Sequence, residues 1–472
     1  MKTNIIKNCI FIVCATIGAA MFVSCEKNDT PKSDNDYVNN WILTNMKSDY
    51  YWNNHIPANP SMAQNPANFF YSILYKYKQP DGDRFSWIQE NYIDLLNSLS
   101  GVSSGDIGFE YVLYRFANND KVYGEVLYVK PNTTAKAQGV KRGNVFYKID
   151  GTELNMSNYS AQLGKTAPRI TFADPVFSGN VLSFDNERDI TINKVEYAEN
   201  PVFLDTVYQI GGKKTGYLVY NFFAVDNGDD SYSYDKQLNE VFGNFKAAGV
   251  NNLIVDLRYN SGGSVLSATH IASMIVEPLS ANNVFYILKF NSRYQPVVKN
   301  FLTKINSTSI NINNVGNNLQ KVCFITSGWS ASASEMLING LKPFMASKMV
   351  IVGDTTVGKS FASTSYYEEN NPKNKWGMQP LIAMFTNGSE QEVPPTGFAP
   401  NYLLKESSVR NKKQLGDINE DLLKVALDII SGQTTTQTQA LRPPLERAVI
   451  NTSIDKKAYS NQSVLKNKDF EF

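Results

Sequence analysis

Val322-Cys323-Phe324-Ile325-Thr326, Ser330-Ala331-Ser332-Ala333-Ser334-Glu335 and Met349-Val350-Ile351-Val352-Gly353 follow one another along the chain. The first and last are short apolar runs that read as buried strands, and between them Met336, Leu337, Gly340 and Leu341 give Ala333 to Phe344 a helical spacing. Ser332 therefore falls at a strand-to-helix turn. Free N–H groups and the positive dipole end of a helix favour an alkoxide or oxyanion there. The loop after the second strand brings Lys359, 27 residues beyond Ser332, back toward the serine. A serine hydroxyl needs a neighbour to take its proton. His55 and His270 are the only histidines, and a neutral lysine amine can do the same work. The same residues would also suit an ordinary helix cap and an ordinary Gly-Lys turn.

Leu253-Ile254-Val255-Asp256-Leu257-Arg258-Tyr259-Asn260-Ser261-Gly262-Gly263 is a second strand run, ending in a turn with two glycines before a helix-like stretch from Ser264 to Val276. Glycines let backbone N–H groups approach a substrate carbonyl, as an oxyanion hole requires, although plain doubly wound proteins carry similar turns. Gly216 to Tyr220 reads as a strand and Tyr234 to Ala248 as an amphipathic helix. From about Phe203 to Gly432 such patterns alternate, which predicts an α/β core with helices covering a sheet.

Asp256 to Gly263, Ser330 to Glu335 and Val352-Gly353-Asp354-Thr355-Thr356-Val357-Gly358-Lys359 together resemble the C-terminal processing peptidases, the Ser/Lys proteases related to tail-specific protease. The resemblance covers most of the mature chain and implies a crotonase-like α/β protease core. It implies Ser332 as nucleophile and Lys359 as general base, with the backbone N–H groups of Ala333, Gly262 and Gly263 forming the oxyanion hole. Two positions depart from the family pattern. Ser363 stands where a glutamine often orients the lysine, and Pro343 stands where many members carry an aspartate. Burial beside Met349 to Val352, away from carboxylates, is expected to lower the Lys359 pKa from about 10.4 to about 7 or 8.

Residues 101–198 open with Gly105-Asp106-Ile107-Gly108-Phe109 and read as β-rich. Pro131 to Gly151 resembles a PDZ domain, with a short helix at Ala135 to Gln138, a turn at Arg142-Gly143 and a strand ending at Asp150-Gly151. The resemblance implies that Ile107, Gly108 and Phe109 hold a peptide's terminal carboxylate while the peptide adds as a strand. A small barrel would give a similar pattern. Residues 37–100 are a helical segment whose aromatic clusters read as core, closed by Asp83 to Ile88.

At the amino terminus two lysines precede an apolar stretch that is too short for a membrane span, so residues 1–24 read as a signal peptide. Phe22-Val23-Ser24-Cys25 looks like a lipoprotein cleavage box that leaves Cys25 lipidated; an ordinary signal peptide is the alternative. Residues 25–36 then form a polar tether, and 433–472 a polar, loosely ordered tail docked through Leu441, Leu445 and Val449. Cys323 stays in a core strand, with no disulfide partner in the mature chain. Net charge +1 gives no argument for nucleic acid, and no zinc spacing, phosphate loop or dinucleotide fingerprint points to a cofactor.

The expectation is an endopeptidase with polypeptide substrates, lipid-anchored in a bacterial envelope at the outer membrane, inside or surface-exposed. A peptide-binding pseudoprotease and a Ser/Lys amidase or esterase stay open beside it. Cys25→Ser should release the protein from the membrane fraction or block its processing; a soluble, unmodified mature chain beginning elsewhere would contradict the anchor.

Overall fold

The computed structural model describes residues 34–116, 119–178, 181–306, 308–433, 447–456 and 462–465. The signal peptide and Cys25, with Leu441 and Leu445, lie outside the described residues. Helices α1 (Asp34–Asp49), α2 (Pro66–Ser72) and α3 (Tyr92–Leu99) come first. Asp34 and Asp36 sit in the first turn of α1, where the helix dipole favours them. Asn65 and Asn91 cap the other two by accepting the amides of Ala67 and Ile93. Ile42, Met46, Tyr50, Phe69 and Phe70 are fully buried together, so the aromatic stripes are core.

The β-rich unit contains β1 (Phe109–Phe116), β2 (Val122–Val129), the single turn α4 (Thr134–Ala137), β3 (Val145–Ile149), α5 (Tyr159–Gly164), β4 (Arg169–Ser178) and β5 (Val181–Thr191). Its strands pair antiparallel in the order β1-β2-β3-β4-β5. Phe109, Phe146, Ile170 and Phe172 fill it, and Leu163 of α5 packs on them.

Two sheets build the α/β core. Its elements are β6 (Val202–Ile210), β7 (Lys213–Tyr220), α6 (Ser233–Ala247), β8 (Asn252–Asp256), β9 (Gly262–Ser264), α7 (Val265–Ile275), β10 (Val284–Phe290) and β11 (Val297–Asn300). They continue with β12 (Lys321–Thr326), α8 (Ala333–Met345), β13 (Met349–Gly353), β14 (Phe361–Thr364), β15 (Leu381–Asn387), β16 (Tyr402–Leu403) and α9 (Asp421–Ser431). The first sheet runs β6-β7-β8-β12-β13-β16, parallel from β7 onward. Side chains alternate across it. Val322 and Phe324 face α6, α7 and α8, while Cys323 and Ile325 face Leu422, Leu423 and Ala426 of α9. The second sheet, with β14, β15, β10 and β11, packs Ala362, Phe285 and Phe385 into the same core as α7 and α8.

The segment after α9 departs from a loosely ordered tail. Residues Arg447–Thr452 form β17 on the outer edge of β1, and Gln462–Leu465 form β18 between β9 and β14. Unpaired backbone on those edges provides partners that side-chain composition does not reveal.

A buried ion cluster joins the β-rich unit to the core. Arg258 donates to Asp256 at 2.7 Å and to Glu420 at 2.6 Å, and Arg142 pairs with Glu406 while donating to the Leu127 carbonyl at 2.8 Å. Burial alone would raise the Glu406 pKa, but the guanidinium groups of Arg142 and Arg258 bring it down to about 2. Arg258→Ala would take the cation from buried Asp256 and leave Glu420 with Arg142 at 3.3 Å. It should destabilise the fold by about 3–5 kcal/mol, read as a lower urea midpoint; an unchanged midpoint would show that the cluster does not stabilise the core.

Candidate active site

Ser332 lies where β12 hands over to α8, at φ 61° and ψ −110°, a strained conformation for a residue with a side chain. Such a sharp turn presents a side chain at the positive end of the helix that follows. Neighbouring serines hold it in place. Ser330 Oγ donates to the Leu257 carbonyl at 2.7 Å and Ser334 Oγ to the Asn260 carbonyl at 2.9 Å. The serine run and the Asp256–Gly263 segment are thus joined along their length.

Glu335 is the hub. Its Oε2 accepts the Ser332 N–H at 2.8 Å and the Lys359 N–H at 2.9 Å, so these two backbone nitrogens lie no further apart than those distances laid end to end. Its Oε1 accepts from Thr356 Oγ1 at 2.6 Å and the Gly358 N–H at 2.7 Å. Gly358 has φ +83°, and a Cβ there would come within 2.2 Å of the Pro395 carbonyl oxygen, so this tight return of the loop requires glycine. Burial raises the Glu335 pKa, opposed by the four donors. No sequence motif assigns Glu335 a role in catalysis. The Ser-x-x-Glu spacing of a capping box was the available signal.

Lys359 is fully buried. Its Nζ lies 5.1 Å from the centre of the Phe85 ring, and Arg84 donates to the Gly358 carbonyl at 3.3 Å. Burial lowers its pKa to about 7, and it does so against the charges of Asp83 and Glu335, which raise it. The expected value holds but the expected absence of carboxylates does not. Asp83 is itself fixed, accepting from Tyr50 Oη at 2.9 Å and from the Ser86 amide at 2.8 Å. Nothing in the spacing of Asp83 or Phe85 placed them beside a lysine far along the chain.

The other expected positions divide. Ala333 opens α8, where its N–H has no carbonyl inside the helix to meet. Gly262 donates its N–H to Asn260 Oδ1 at 3.0 Å, which engages one of the three amides expected in an oxyanion hole. Gly263, at φ +131°, approaches Phe223 so closely that a Cβ would lie 2.1 Å from its carbonyl oxygen. Ser363 is buried on β14, and Pro343 lies inside α8. Ile107, Gly108 and Phe109 stand apart at the start of β1, where the Gly108 N–H donates to Asp106 Oδ1 at 2.7 Å. His270 is committed elsewhere, with Nδ1 2.6 Å from Asp235 and Nε2 accepting the Asn306 N–H at 3.0 Å; His55 is exposed beside Tyr75.

Residues 214–404 match the family model of peptidase family S41, and residues 37–87 match the peptidase S41 N-terminal domain. The chain belongs to peptidase family S41, the C-terminal processing peptidases. A crystal structure assigned as an S41 protease from Bacteroides fragilis NCTC 9343 is similar at 26% identity and a TM-score of 0.70, covering 84% of this chain and 98% of that one. The photosystem II D1 C-terminal processing protease is 16% identical with a TM-score of 0.47, over 80% and 95% of the two chains. Mature CPAF is 10% identical with a TM-score of 0.42, over 84% and 96%. No curated protein matches. The N-terminal S41 domain thus contains Asp83, Arg84 and Phe85, the residues that approach Lys359 and its loop.

Two outcomes follow for this S41 peptidase. If Lys359 acts as the base, with its amine released from charge near pH 7, activity should rise as pH passes about 7, and Lys359→Arg should be inactive because guanidinium keeps its proton; a profile that is flat from pH 6 to 8 would exclude that role. Glu335→Gln keeps the shape but presents an amide donor to other donors. It should lower kcat by about tenfold to a hundredfold and shift the midpoint of the pH profile, whereas a loss of thermal stability with kcat and midpoint unchanged would make Glu335 a structural residue only.

Proposed function

We propose that the chain is a serine endopeptidase in which Ser332 attacks a peptide carbonyl and Lys359 takes its proton. One observation carries this reading: a single carboxylate oxygen of Glu335 receives the amides of both Ser332 and Lys359, at 2.8 and 2.9 Å. The buried lysine, with its pKa near 7, supplies a base, and the strained turn at the start of α8 supplies a nucleophile. The N–H groups of Ala333 and Gly263 are the oxyanion donors in this proposal, since Gly262 is engaged by Asn260.

The core is crotonase-like in this reading and the β-rich unit is a PDZ-like module that receives polypeptide ends beside Ile107-Gly108-Phe109. A terminal carboxylate there meets a loop whose Gly108 amide already serves Asp106, itself paired with Lys130. Cys25 provides a lipid anchor in a bacterial cell envelope.

Ser332→Ala should abolish peptide turnover, a fall of about a thousandfold or more, and abolish labelling by a serine-directed reagent while peptide binding persists. Retained turnover would remove Ser332 as nucleophile. Failure of the parent to label or cleave would leave a peptide-binding protein, and turnover of small esters without peptides an esterase.

A further inference from the structure

The described residues beyond α9 occupy two sheet edges that face the peptide-handling parts of the molecule. β17 runs antiparallel along the free side of β1, with Ala448 opposite Arg115 and Thr452 opposite Val112. Just beyond it, Ser453 donates its N–H to the Tyr111 carbonyl at 3.0 Å and accepts the Tyr111 N–H on its Oγ at 2.8 Å. β1 is the strand that follows Ile107-Gly108-Phe109. β17 therefore lies on the edge, and in the direction, that an extended peptide with its end toward that loop would use.

β18 fills the gap between β9, which carries Gly262 and Gly263, and β14. It is parallel to both neighbours, with Ser463 beside Gly263 and Val464 beside Ser363, and the Leu465 carbonyl accepts from Thr364 Oγ1 at 2.8 Å. The Gly262 carbonyl and the Ser264 N–H are turned toward Phe223, at 2.9 and 2.8 Å. Backbone groups of successive residues in a strand point to opposite edges, so the N–H of Gly263 faces β18. One of the two amides assigned above to a substrate carbonyl thus lies beneath this strand.

Side chains hold these residues at a few points, and Arg447 donates to Tyr123 Oη at 2.8 Å and to the Ser407 carbonyl at 3.0 Å, with Glu125 at 3.5 Å. Among them, Ile454 and Leu465 are the buried large apolar side chains, and Val449 is 54% exposed. Much of the remaining attachment is backbone pairing, which any extended polypeptide can supply. Without an occupant, β1 and the gap between β9 and β14 would present unpaired N–H and C=O groups.

We propose that residues 447–456 and 462–465 are a resident occupant of the track along which a substrate polypeptide adds, and that they must leave both edges before substrate can reach Ser332. The proposal rests on the peptidase reading above. The partner that fits is an extended polypeptide, recognised mainly through its backbone. A tethered strand acts at an effective concentration on the order of 1 mM, so against a peptide of about 0.1 mM intrinsic affinity it weakens binding about tenfold.

The test uses binding, measured in the Ser332→Ala background so that turnover does not enter. A fluorescein-labelled synthetic peptide of residues 447–465 should bind a chain ended at Gln433 about tenfold more tightly than the full chain. Equal affinity, or no binding by a shortened chain with native circular dichroism, overturns the proposal. Should the shortened chain fail to fold, Arg115→Cys with Ala448→Cys in the full chain decides the matter. With the disulfide formed, the same peptide should bind several-fold more weakly than after reduction by dithiothreitol, and identical binding in the two redox states overturns it. Inactivity of the shortened chain with Ser332 restored, alongside the expected binding differences, would count against the Ser332 and Lys359 chemistry, leaving the occupied track intact.

Discussion

One buried carboxylate organises the site. Glu335 accepts four hydrogen bonds from residues of two segments, and each such bond to a charged acceptor contributes on the order of 1.5–3 kcal/mol. Together they offset part of the cost of burying the charge, burial still holding the Glu335 pKa above its ordinary value, and they fix the return loop. Removing any donor leaves the anion under-satisfied, so the arrangement of Thr356, Gly358, Lys359 and Ser332 holds as a unit. The strain at Ser332 persists for the same reason, because the surrounding bonds over-determine its backbone.

The lysine poses the opposite problem. A buried ammonium is destabilised, and here that destabilisation is what releases a neutral amine near pH 7. Asp83 and Glu335 limit the effect; without them burial would push the pKa lower still. The cover over Lys359 comes from Arg84 and Phe85, in the segment that precedes the β-rich unit. The N-terminal domain of the S41 family is therefore part of the site's electrostatics in this chain.

The same logic of satisfied backbone extends outward. Arg142 binds the β-rich unit to the core through Glu406 and Glu420, with which Arg258 of the core also pairs. The strands β1, β9 and β14 expose edges, and β17 and β18 pair with them. Edge pairing uses few side chains, which makes it both effective cover and replaceable cover.

Much of the core was legible in the sequence. Val322 to Thr326, Ala333 to Phe344 and Met349 to Gly353 fall within a residue or two of β12, α8 and β13, because apolar runs and helical spacing record which faces are buried. The motifs around Ser332 and Lys359 were legible for a related reason: tight turns and helix starts admit few residue types. What only the tertiary structure decided are contacts between residues distant in the chain. Asp83 and Phe85 at Lys359, Asn260 on the Gly262 amide, and four donors on Glu335 depend on how separate elements meet, and no local periodicity encodes that. The strands after α9 were hidden for a further reason. A polar segment reads as loosely ordered by composition, yet it forms strands where an unpaired edge supplies the backbone partners that its own side chains do not require.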